Sequence, residues 1–219
     1  VPTGGTRGRE ALLANLLVLS GAAALLHETV WFRLLTPVLG SGILVGAVVS
    51  AGALLGLAAG AAIGGRLADR SGRPGLVFAA AEALAALLAL GVVPGMAAVA
   101  SLDEALLAEG ASPTAPAVLL AVALFALPAL AMGASLPAAV RAVGPPSEAV
   151  GACFRRLYAW NTLGAVLGVF LAAGWLLETL GNRGVVLGAS GLEGVAAFAA
   201  LLTAGRSGAG AGTSRSALP

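Results

Sequence analysis

ILVGAVVSAGALLGLAAGAAIG, residues 43–64, carries no charge over its whole length. Wound as a helix it spans about 33 Å, enough to cross the roughly 30 Å hydrocarbon layer of a bilayer. Five more apolar runs of crossing length accompany it, at 11–35, 75–100, 117–140, 157–180 and 185–204. A membrane β-barrel needs period-two alternation in segments of about ten residues, and none is present. The expected fold is therefore all-α: a polytopic membrane protein with six transmembrane helices.

Composition supports this reading. Of 219 residues, 59% are hydrophobic and only 10% are charged, with a mean hydropathy of +0.99. That charge content is less than half of what a soluble surface carries, and it excludes disordered, collagen-like and disulfide-stapled classes. Net charge is only +2, and the basic residues come singly or in pairs, so no nucleic-acid footprint exists. Cys153 is the only cysteine, which excludes an intrachain disulfide and a thiolate zinc site. No nucleophile–base pair, metal-ligand cluster or phosphate loop stands out, so no catalytic residue, metal or cofactor is expected.

All twelve basic residues are arginine, and they sort by side. Arg7, Arg9, Arg66, Arg70, Arg73, Arg141, Arg155, Arg156, Arg206 and Arg215 fall on one side. Arg33, Arg183 and an acidic loop with Asp103, Glu104 and Glu109 fall on the other. The positive-inside rule places both termini in the cytoplasm, as an even number of spans requires. The expected organisation is a cytoplasmic segment 1–10, a membrane domain 11–204, and a flexible Gly/Ser-rich tail or linker 205–219. A bacterial-type inner membrane is the expected location.

Glycines at Gly52, Gly56, Gly60 and Gly64 repeat every fourth residue along the second span, and Gly164 with Gly168 does so along the fifth. Gly184 and Gly188 show the same spacing in the sixth. Spacing of four gathers missing side chains on one face, where another helix can approach closely or slide. Pro94, Pro128 and Pro137 are expected to kink or end their helices. Trp31 and Trp175 fall where outer-interface anchors sit.

Ionisable groups at membrane depth are expensive and mark function by default. His27 and Glu28 lie in the first span, Glu82 in the third and Glu193 in the sixth. Each is either half of an interhelical pair or part of a cation or proton pathway. After the second span the turn GGRLADRSGRP, residues 64–74, sets Asp69 among arginines between glycines. It resembles the loop between the second and third helices of major facilitator transporters, which helps to latch the inward gate. That resemblance assigns gate-like roles to Gly65, Asp69, Arg70, Gly72 and Arg73.

Three further stretches resemble one family together. They are SGAAALLHETVWFRLL (20–35), MGASLP (132–137) and LYAWNTLGAVLG (157–168). In that order, with the turn above, they are similar to the membrane region of spermidine synthase-like integral membrane proteins, over residues 11 to 204. The resemblance implies a half-facilitator-like bundle preceding a soluble aminopropyltransferase domain. It also draws Asn161 into the candidate cation pathway with His27, Glu28, Glu82 and Glu193. His27 stands where the family signature has an aromatic residue. The family's nucleotide-binding half is not in this sequence, so the chain itself is not expected to make spermidine.

Two classes of function follow. One is a transport-like module for polyamines or other small cations, paired as a homodimer or with another membrane subunit and coupled to a soluble synthase domain. The other is a non-catalytic anchor or accessory subunit embedded in membrane lipid.

Overall fold

The computed structural model describes residues 4–40, 42–108 and 115–209. Every regular element among them is helical: α1 (Gly4–Leu39), α2 (Gly42–Arg70), α3 (Pro74–Ala108), α4 (Ala115–Val143), α5 (Val150–Leu171) and α6 (Leu177–Ala209). A 3₁₀ turn, Ser147–Ala149, precedes α5, and a π turn, Ala172–Leu176, joins α5 to α6. Backbone chemistry sets the boundaries. Gly40 (φ 69°) and Gly144 (φ 67°) adopt the left-handed conformation that terminates α1 and α4. Pro74 opens α3, where a missing N–H costs nothing. Pro94 and the pair Pro128 and Pro137 end neither α3 nor α4, which continue through them.

Five helical segments among the described residues are long and apolar enough to cross a membrane. The sequence count is six. The difference lies in the last segment, Ser147–Ala204, whose 58 residues run on as one helical stretch through both expected final spans. Inside it Gly181 is non-helical (φ 63°, ψ 179°) and bends the chain. Before the bend, Gly164 and Gly168 lie against Val18 and Ala22, so the chain runs alongside α1. After it, residues 185–189 cluster with 23–30 and residues 196–200 with 13–17, so the chain runs against α1.

The helices also exceed their expected ends. α1 already begins at Gly4, within the segment read as a cytoplasmic tail, and α6 reaches Ala209. Residues 210–219 of the expected linker, and Glu109 of the acidic loop, lie outside the described residues. Asp103 is no loop residue but sits buried near the end of α3.

α1, α3, α4 and α6 surround the centre, with α2 laid on α4 and α5 on α1. The buried residues are mostly alanine, valine and glycine, whereas Ile43, Leu87, Phe170 and Leu187 point outward. Small residues inside and large ones outside suit a bundle whose solvent is lipid, where close backbone packing rather than water expulsion drives helix association.

The contacts recur in two matching sets. In the first, Gly60 of α2 lies so close to α4 that an added Cβ would strike the Leu130 carbonyl; Gly64 likewise meets Ala134, and Gly133 of α4 meets the Leu57 carbonyl. In the second, Gly164 of α5 meets the Val18 carbonyl, Gly168 that of Ala22, and Gly21 of α1 that of Asn161. Position for position, Leu57, Gly60 and Gly64 match Asn161, Gly164 and Gly168. Leu130, Gly133 and Ala134 match Val18, Gly21 and Ala22. α3 and α6 continue the pattern: Glu82, Ala85, Ala86 and Ala89 are buried in one, and Glu193, Ala196, Ala197 and Ala200 in the other. α1 and α4 run in opposite directions, since residues 13–17 pack with 138–143 while Trp31 and Leu35 pack with 117–125. The halves α1–α3 and α4–α6 are thus an inverted three-plus-three repeat.

Candidate functional site

Where the two halves meet, polar side chains converge in an otherwise apolar interior. Glu82 is 1% exposed, and Glu193 and His27 are fully enclosed. Glu82 Oε1 accepts a hydrogen bond from Ser20 Oγ of α1 at 2.8 Å. Ser135 of α4 faces the same carboxyl without hydrogen-bond geometry. Glu193 Oε2 stands 3.4 Å from His27 Nε2, an ion-pair distance that also lacks hydrogen-bond alignment. The two carboxyls are near enough to feel each other's charge.

The helix period explains the convergence. Ser20, His27 and Trp31 lie seven and four residues apart on one stripe of α1. Ser190, three residues before Glu193 on α6, donates to the Ala86 carbonyl of α3 at 3.3 Å, one turn beyond Glu82. That bond ties α3 to α6 about one turn from each glutamate.

Much of this polar capacity is unused. Glu82 Oε2, both Glu193 oxygens, both His27 ring nitrogens, Ser135 Oγ and Trp31 Nε1 have no hydrogen-bond partner among the described residues. A buried polar group without a partner costs about 1–3 kcal/mol, and a charged one more. Such a constellation suits a site that exchanges a proton or a small cation, because the bound species supplies the missing partner. Among the described residues no three His, Cys, Asp or Glu side chains converge as a metal-ligand set.

No family model, curated protein or solved structure matches this chain. The spermidine synthase-like resemblance therefore stands on its motifs alone.

The candidate residues divide accordingly. His27 meets Glu193, and Glu82 lies within range of the Glu193 charge. Glu28 is half-buried beside them on α1, with no hydrogen bond or ion pair among the described residues. Asn161 sits at the α1–α5 contact, its backbone carbonyl against Gly21 and its side chain in no hydrogen bond with the cluster. Sequence reasoning missed Ser20 and Ser135, because single serines in apolar helices are common. It also placed Trp31 at the membrane interface, whereas the indole is buried, stacked on Phe125 at 5.2 Å with His27 beyond it at 6.2 Å. Trp175 is exposed. A detectable signal did exist: EALAALLA (82–89) and EGVAAFAA (193–200) place a glutamate ahead of the same alanines.

The glycine ladder is used within the chain. Gly52, Gly56, Gly60 and Gly64 face α4, and Gly164 with Gly168 faces α1. Gly184 and Gly188, despite equal spacing, meet no neighbouring helix within 4 Å.

Of the turn expected after the second span, Gly65, Asp69 and Arg70 belong instead to the last turns of α2, and only Gly72 and Arg73 lie in the link to α3. Asp69 pairs with Arg141 at the end of α4, tying the two elements together. Ser71 Oγ accepts from the Arg73 backbone N–H at 3.0 Å and shapes the entry to α3. Both partners of the Asp69–Arg141 pair are about half exposed. Asp69→Asn is accordingly expected to lower stability by less than about 1 kcal/mol in thermal unfolding, most visibly at low salt.

Proposed function

We propose that the chain is a six-crossing module of a cytoplasmic membrane that handles a small cation at Glu82 and Glu193, with His27 as the adjoining proton acceptor. Taking the stretch Ser147–Ala204 as two crossings divided at Gly181 gives six spans. The arginine bias then sets both termini on the cytoplasmic side. One observation carries the functional reading: two enclosed carboxyls, with three unbonded oxygens between them, stand where the inverted halves meet. Transport folds built from inverted repeats place coupling-ion sites at that junction.

A proton fits the closed packing without any opening, whereas a polyamine, the cation suggested by the spermidine synthase-like motifs, requires the α1–α5 pair to move away from the α2–α4 pair. The glycine contacts between α2 and α4 and between α1 and α5 make each outer helix move with the central helix it covers. A half-facilitator-like bundle completes a two-sided pathway by pairing with a second copy or another membrane subunit.

The test is flux into proteoliposomes containing a trapped pH dye, under a pH gradient and then under a spermidine gradient. Acidification several-fold faster than in empty liposomes is expected, with Glu193→Gln returning it to the empty-liposome rate and Glu28→Gln leaving most of it. Equal rates with and without protein under both gradients would remove the proposal.

A further inference from the structure

At the arginine-rich end of the bundle lies a second site, apart from the carboxyl cluster. The starts of α1 and α3 and the ends of α4 and α6 enclose a cavity of about 390 Å³. Arg9, Arg73 and Arg141 line it, and among the described residues no carboxylate does. Its floor is apolar, with Leu12, Leu13 and Ala200.

The arginines are positioned differently. Arg141 is turned by its Nε toward Asp69. Arg9 Nη1 reaches the Ala142 carbonyl at 3.4 Å, which draws its guanidinium across the cavity wall. The exposed guanidinium of Arg73 makes no hydrogen bond or ion pair among the described residues. α3 starts at the cavity with no acidic residue in its first turn, so the positive end of a 35-residue helix adds to the same field. Asp69 offsets the charge of Arg141, while Arg73 and the start of α3 keep the mouth positive over an apolar floor.

We propose that this cavity binds a phosphate group, borne by an anionic lipid headgroup or by a soluble phosphate. Guanidinium forks match phosphate oxygens in geometry and charge. The apolar floor accepts the glycerol and first acyl carbons of a lipid, and the volume exceeds what inorganic phosphate alone needs. Occupation would brace the starts of α1 and α3 against the end of α4.

The experiment uses the full chain in a zwitterionic detergent, titrated separately with phosphatidylglycerol, phosphatidylcholine and inorganic phosphate. Binding is read by native mass spectrometry and by the unfolding temperature. Saturable binding of phosphatidylglycerol but not of phosphatidylcholine identifies a lipid headgroup as the source. Equal stabilisation by inorganic phosphate identifies a soluble one. In either case Arg73→Gln should weaken binding about tenfold and Arg73→Glu should abolish it, while Arg183→Gln, in the other arginine group, should leave it unchanged. Arg73 is exposed, so neither substitution threatens folding. Absence of saturable binding by both phosphate sources would overturn the proposal, as would Arg73→Glu binding as tightly as the unaltered chain.

Discussion

Gly60→Leu and Gly164→Leu should each leave little folded protein, whereas Gly188→Leu should fold normally. All three change a helical glycine of a GxxxG spacing to the same residue, so helix propensity alone would make each mildly stabilising. Surroundings decide the sign. A Cβ at Gly60 would collide with the Leu130 carbonyl, and one at Gly164 with the Val18 carbonyl. A backbone carbonyl cannot rotate aside as a side chain can, so α2 must lift from α4, or α5 from α1. Losing that close approach removes the dispersion contacts that hold helices together in lipid. A cost of about 5 kcal/mol or more is expected, comparable to the whole stability of a marginal domain. A Cβ at Gly188 meets nothing within 4 Å. Its substitution should stay within about 0.5 kcal/mol of the unaltered chain. Yield of monodisperse protein and the midpoint of thermal unfolding in detergent separate these outcomes.

The same glycines show how far the sequence can be read. Their spacing pointed to a close-packing face on α2 and on α5, but equal spacing on α6 belongs to a helix side that no neighbour approaches. Spacing reports which residues share a face; it does not report what covers that face. The apolar runs located the helices to within a few turns, because hydrophobic length is a local property. The final two runs, parted in the sequence at Gly181-Asn182-Arg183-Gly184, form one helical stretch because Gly181, with φ of 63°, bends the chain without opening a loop. Of the five residues read as a cation pathway, the three that converge lie on three different helices. Each was legible as a charge or ring at membrane depth. Their meeting depends on the packing of α3 on α6, with Ser190 against the Ala86 carbonyl, which only the packed structure contains. Trp31 was misread for a related reason: its depth in the sequence suits an interface anchor, but its stripe on α1 faces Phe125.

His27→Ala is expected to cause the second large effect. It leaves Glu193 enclosed with no basic neighbour and opens a gap beside Trp31. Truncating an enclosed side chain of this size costs about 2–5 kcal/mol, and here it also removes the one basic group beside Glu193. Glu193→Gln alone should cost less, since a neutral amide and a neutral imidazole need no compensation. The double substitution should therefore be more stable than the sum of the two predicts, with a coupling of at least about 1 kcal/mol. Additive effects would mean that the 3.4 Å approach of His27 and Glu193 contributes no interaction. Glu82→Gln is expected to be the mildest of the three, because its amide can still accept from Ser20 and can donate toward Ser135.

The most direct measurement of the central claim is an infrared difference spectrum of the protein in membranes, recorded in the carboxyl stretching region across a pH jump. If Glu82 and Glu193 exchange protons where the inverted halves meet, the unaltered chain should show carboxyl bands that change with the jump. Glu82→Gln and Glu193→Gln should each delete a distinct part of that change, and the double substitution should delete nearly all of it. A carboxyl region that does not respond to the jump, or a response that persists in the double substitution, would contradict the account.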